Sequence, residues 1–126
     1  MMKMNLTLAA SDLEKSRLFY QDILGLKTEG NDKEAYFIVC FTNIKVVFQP
    51  VAILERQHPI FLQHINRSAL GVGVQFELNC PNLKEIESIL NRCQWPMIYE
   101  LDDQEHQRRE IWIQDPDGYL VVLNQE

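Results

Sequence analysis

Hydrophobic and polar positions alternate along residues 3–10, with Leu6, Leu8 and Ala10 on one side and Asn5, Thr7 and Ala9 on the other, as in a half-buried strand. The period then changes. Leu13, Phe19, Tyr20, Ile23 and Leu24 recur at helical spacing, Ser11 and Glu14 have the form of a capping box, and Gly25 suits the left-handed position that ends a helix. A helix is therefore expected over 12–24. Beyond it, β-rich runs between turn residues predict strands near 26–30, over 35–41 and near 45–51, with turns at Gly30-Asn31-Asp32 and Thr42-Asn43. The 35–41 strand is apolar on both sides: Phe37, Val39 and Phe41 form one set and Tyr36, Ile38 and Cys40 the other. One set is expected on the helix and the other on a pocket floor.

Residues 52–70 lack alternation, and His58-Pro59 disfavours helix at His58, although 59–66 suits a short helical turn. This stretch reads as a connector. The pattern then returns: Val72, Val74, Phe76 and Leu78 alternate with Gly73, Gln75 and Glu77. A helical segment follows from Pro81, placed at its first position, through Leu83, Ile86, Ile89 and Leu90 to about Cys93. Strands are expected at 97–101, 109–114 and 119–124, the last two joined by the turn Asp115-Pro116-Asp117-Gly118. The order β, α, β, β, β thus occurs twice, an internal repeat of about 70 residues. The expected fold class is α+β, with two βαβββ modules forming a curved mixed sheet around a cleft. Module 1 covers about 1–51, the connector 52–70 and module 2 about 71–126, all within a single domain.

Composition narrows the possible partners. The chain has 126 residues, enough for one domain with a substantial core, and its net charge of −6 with a single basic pair, Arg108-Arg109, argues against binding a nucleic-acid backbone. Cys40, Cys80 and Cys93 form no CxxC pair, so buried free thiols are expected in place of a disulfide framework or zinc site. No apolar stretch approaches the ~20 residues of a membrane span. The run Met4–Ala10 is too short for a signal-peptide core, so no membrane partner and a cytoplasmic location are expected.

Two stretches carry a resemblance. Ser11-Asp12-Leu13-Glu14-Lys15-Ser16 with Phe19-Tyr20 and Leu24-Gly25, and the segment from Arg109 through Asp115-Pro116-Asp117-Gly118 to Tyr119, look like the hallmark sequences of the vicinal oxygen chelate superfamily. That superfamily includes glyoxalase I, extradiol dioxygenases and bleomycin-resistance proteins. With the repeated βαβββ order, the resemblance spans nearly the whole chain and implies the glyoxalase/bleomycin-resistance fold. It also implies positions for metal donors, from the first and last strands of each module. These fall on Asn5, seven residues before Asp12; on Gly73; on Val122, seven residues after Asp115; and within Val46–Gln49, where only Gln49 offers an oxygen. Two amides, a glycine and a valine do not make a catalytic cation site, so neither metal nor cofactor is expected.

Strand alternation sends Asn5, Thr7, Gln75 and Glu77 to the cleft, and a turn at Asp115–Gly118 with Gly118 left-handed adds Glu110, Trp112, Gln114 and Val122. His106, in the polar stretch 102–108, is a further candidate for ligand contact, whereas His58 and His64 are expected to be solvated and Trp95 to pack at a helix end. Two carboxylates beside an indole suit a cationic or aromatic small-molecule ligand. The leading expectation is a metal-free binding protein that sequesters a ligand, resembling bleomycin-resistance proteins and, like them, a homodimer. The alternatives are a metal-dependent lyase or dioxygenase resembling glyoxalase I, and a metal-free enzyme in which Glu77 or Glu110, its pKa raised by an apolar cleft, acts as general base.

Overall fold

The computed structural model describes residues 2–31, 35–65 and 69–125, with Asn31 described by its backbone, and the turn expected at Gly30-Asn31-Asp32 extends beyond that set. The chain divides into two compact units, Met1–Leu70 and Gly71–Glu126. The first runs β1 (Met4–Ala10), α1 (Leu13–Leu18), β2 (Thr28–Asn31), β3 (Tyr36–Cys40), β4 (Ile44–Pro50) and α2 (Val51–Gln57). The second runs β5 (Gln75–Asn79), α3 (Leu83–Arg92), β6 (Tyr99–Asp103), β7 (Arg108–Gln114) and β8 (Leu120–Gln125). Each holds a four-stranded mixed sheet, ordered β1-β4-β3-β2 in one and β5-β8-β7-β6 in the other, so the repeated element order is a repeated topology. In both, the first strand lies parallel to the last and the remaining pairs are antiparallel.

Alternation decides which side of each sheet is dry. In the first unit Leu8, Val46, Phe48, Phe37 and Val39 are buried toward α1 and the turn that follows it. Tyr20 meets Phe48 with ring centres 4.9 Å apart, and Phe48 stacks on Phe37 at 4.8 Å. Phe37 and Val39 are therefore the helix-facing set of β3, and Tyr36, Ile38 and Cys40 are half-buried on the opposite face. In the second unit Ile111, Ile113, Val121 and Leu123 are buried on the α3 side, where α3 packs on β8 through an apolar stripe of Leu83, Ile86 and Leu90. Fully burying one such Phe, Leu or Ile side chain contributes about 1.5–3 kcal/mol relative to leaving it exposed.

Several elements differ from expectation. The first helix is capped by Asp12, whose Oδ1 accepts the Lys15 N–H at 3.1 Å, and not by Ser11, while Glu14 pairs with Arg17. It also changes pitch: α1 ends at Leu18 and a π-helical turn carries Phe19–Ile23 to Gly25, which has φ +70°. Residues 51–57, the end of one expected strand and the start of the connector, are the helix α2, packed on β1 and β4 and stopped at His58, the residue before Pro59. Strand β5 starts at Gln75 and not near Val72, which is 77% exposed. Pro81 precedes the Asn82 cap of α3 and does not open the helix. Of the three free cysteines only Cys80 is buried, which pushes its thiol pKa up; Cys40 is half-buried and Cys93 exposed. Among the described residues no helix is long and apolar enough to cross a membrane.

The DPDG turn has the expected form. Gly118, at φ +89°, donates its N–H to the Asp115 carbonyl at 3.0 Å, and buried Asp115 accepts the N–H groups of Asp117 and Tyr119 on Oδ1 at 2.8 and 3.0 Å. Its backbone lies hard against Gly71, where an added Cβ would sit 2.1 Å from the Gly118 carbonyl oxygen.

Candidate functional site

The turn fixes the pairing of β7 with β8, and that pairing fixes which side chains share a face. Trp112 stands opposite Val122, Val122 opposite Glu77 and Trp112 opposite Tyr99, giving one row across all four strands. The next row holds Asn79, Asn124, Glu110 and Leu101. Because partners in register point to the same side, these rows form the sheet face turned away from α3. Gln75 and Gln114 lie on it too, both opposite Leu120.

The polar groups on this face are tied together. Asn124, 7% exposed, donates from Nδ2 to Glu77 Oε1 at 2.8 Å, while Glu77 itself is exposed. Glu110, also 7% exposed, accepts the Trp112 indole N–H on Oε1 at 2.9 Å and pairs through Oε2 with the half-exposed Arg108. The Trp112 ring meets that of Tyr99 at 5.0 Å and 50°. The indole hydrogen bond, with the charge and hydrogen bond of Arg108, holds the Glu110 carboxyl below its ordinary pKa against the opposing push of burial. This corrects the expectation of a raised value there. A carboxylate whose two oxygens are engaged and whose ionised form is favoured is a poor general base at neutral pH.

The remaining candidates lie on other parts of the chain. Asn5 and Thr7 are exposed on the face of the first sheet opposite α1, where they pair with Lys45 and Val47. His106 sits in the β6–β7 turn with its ring exposed; its Nδ1 lies 2.8 Å from Asp103 Oδ2 and its backbone N–H donates to Asp103 Oδ1 at 3.2 Å. Trp95, beyond the end of α3, donates its indole N–H to the Gln114 carbonyl at 2.8 Å. Three members of the network were not expected from sequence: Tyr99, Arg108 and Asn124. Asn124 had a readable signal, since it lies two residues beyond Val122 on the same strand and must share its face.

The positions implied as metal donors do not suit a divalent cation. Asn5 is exposed, Gly73 lies ahead of β5 at φ +79° with no side chain, Val122 is 2% exposed and apolar, and Gln49 offers an amide. Among the described residues no group of three or more His, Cys, Asp or Glu is placed to hold a metal ion. The surface of the second sheet offers instead an exposed carboxylate, an anchored indole and a phenol ring, with a guanidinium at its margin.

Comparison with known proteins agrees with the fold. The model of the Glyoxalase/Bleomycin resistance protein/Dioxygenase superfamily matches residues 5–123. Among solved structures the chain is similar to a glyoxalase-related enzyme from Fulvimarina pelagi, at 16% identity and TM-score 0.76, covering 100% of this chain and 88% of that one. It is similar to a lactoylglutathione lyase from Agrobacterium tumefaciens at 17% identity and TM-score 0.68, covering 97% and 91%. It is also similar to a superfamily member from Sphaerobacter thermophilus at 19% identity and TM-score 0.66, covering 100% and 98%. No curated protein sequence matches it. Likeness at these identities speaks to the fold and leaves the chemistry to the residues.

Proposed function

The chain belongs to the glyoxalase/bleomycin resistance protein/dioxygenase superfamily, and from that premise we propose that it is a small-molecule binding protein that works without a metal. Its ligand lies on the face of the second sheet that carries Glu77, Trp112 and Tyr99. The observation that carries this reading is the row Glu77, Val122, Trp112, Tyr99. Where resemblance to the catalytic members places an anionic metal donor, there is a buried valine, and a carboxylate and an indole flank it. A ligand with an aromatic or cationic part gains from that arrangement through ring contact and charge. The amide of Gln75, on the same face, adds a polar contact, and His106 reaches ligands large enough to meet the β6–β7 turn.

Intrinsic fluorescence tests the reading. In Trp95→Phe protein, titration with a panel of small aromatic and cationic compounds is expected to change the Trp112 emission for at least one of them. Isothermal calorimetry on Trp112→Phe should then show that compound bound at least about tenfold more weakly. Undiminished binding to Trp112→Phe would place the binding surface elsewhere.

A further inference from the structure

We propose that the two carboxylates on this face do different work: Glu110 is a positioning residue that sets the plane of the Trp112 indole, and Glu77 is the carboxylate that meets an organic cation. The assignment of Glu77 rests on the reading of this face as the ligand surface; that of Glu110 stands on the geometry of the protein alone.

Glu110 has no oxygen to offer a ligand. Oε1 takes the indole N–H and Oε2 takes Arg108, and the side chain is 8% exposed. An indole has a single N–H donor and two side-chain torsions. Tethering that donor to a carboxylate two residues earlier on the same strand leaves the ring little freedom, and Tyr99 closes on it from β6. The result is a corner of two aromatic faces whose angle is set before any ligand arrives, which lowers the ordering cost of binding.

Glu77 is arranged the other way. It is exposed, and Asn124, itself buried, holds one oxygen. Glu77 and Trp112 are second neighbours across the sheet with Val122 between them, so their backbones are about 10 Å apart at two strand spacings. A cation whose charge sits a few bonds from a flat ring spans that gap, with the ring in the aromatic corner and the charge at Glu77. Val122, between them, brings no polar group to compete for the charge.

Two arms of one experiment, both in Trp95→Phe protein, separate the parts. The first needs no ligand. The Trp112 indole N–H should exchange with solvent far more slowly than a free indole, and its near-ultraviolet circular dichroism band should persist in Glu110→Gln, which keeps an acceptor, and fall by about half or more in Glu110→Leu. Free-indole exchange in the parent protein, or a band unchanged in Glu110→Leu, overturns the positioning role. Because the exchange measurement uses the parent protein, it decides the matter even if Glu110→Leu does not fold.

The second arm titrates (2-phenylethyl)trimethylammonium, whose charge stands a few bonds from its ring, with uncharged 2-phenylethanol as its control. Glu77→Gln should weaken the cation about tenfold, leave 2-phenylethanol unaffected and leave the near-ultraviolet band intact. Equal binding of the cation to parent and Glu77→Gln overturns the role of Glu77. Failure of the parent protein to bind either compound overturns that role too and counts against the ligand-surface reading itself, while the first arm still decides Glu110.

Discussion

At the scale of single residues, the telling contrast is between Glu77 and Glu110, which alternation alone treats alike. Their difference comes from neighbours that sequence does not place: Arg108 lies in a polar stretch with no period, and Tyr99 reaches Trp112 only through the β6–β7 register. Trp112 and Val122 were placed correctly on one face because the DPDG turn fixes its own hairpin. Glu110 also carries a pH dependence whose sign follows from its partners. Its folded pKa is depressed, so its ionised interactions contribute fully above the ordinary carboxylate pKa and are lost as pH falls through the lower folded value. Urea unfolding of parent and Glu110→Gln should therefore show a stability gap at neutral pH that narrows in acid below the ordinary range. A gap that widens in acid would contradict the depressed pKa.

At the scale of elements, strand alternation was legible and local helix geometry was less so. Ser11 and Asp12 are both competent caps, and the choice of Asp12 depends on where the strand releases the chain, which no pattern of residue types records. Helix α2 escaped because Val51-Ala52-Ile53-Leu54 continues the apolar run of β4 and its seven residues are too few to display a helical period. Strand β5 was drawn too long because Val72 and Val74 alternate, whereas Gly73 between them has a backbone conformation foreign to strands. The two glycines that meet at the DPDG turn give a test at this scale. Gly118→Ala has open space for its Cβ and is expected to cost only the left-handed conformation, roughly 1–2 kcal/mol. Gly71→Ala drives a Cβ into the Gly118 carbonyl and should cost more, which thermal denaturation of the two variants would rank. The reverse order would mean that the two backbones do not approach as described.

At the scale of the whole molecule, the fold was recoverable because the same order of elements is written twice, and the proposed metal-free reading rests on four positions that the fold supplies. The thermal midpoint of chelator-treated protein is expected to stay the same when Ni²⁺, Zn²⁺, Mn²⁺ or Fe²⁺ is added. Val122→Glu, which supplies the one anionic donor, should lower stability by at least about 2 kcal/mol by burying a carboxylate, with no recovery on adding those ions. Tight stoichiometric uptake by the parent protein would sink the metal-free reading. The strand order of the two sheets also bears on how the protein is made. In each sheet β4 or β8, one of the two interior strands, is the last strand of its unit, and within the sheet the opening strand pairs with that one alone. While the ribosome is still extending a unit, its first strand waits with both edges bare, and the hydrophobic side of β1 or β5 has nothing complete to close on. Protection of the nascent chain from proteases should therefore arrive in two steps, one as β4 emerges and one as β8 emerges, with little gained in between.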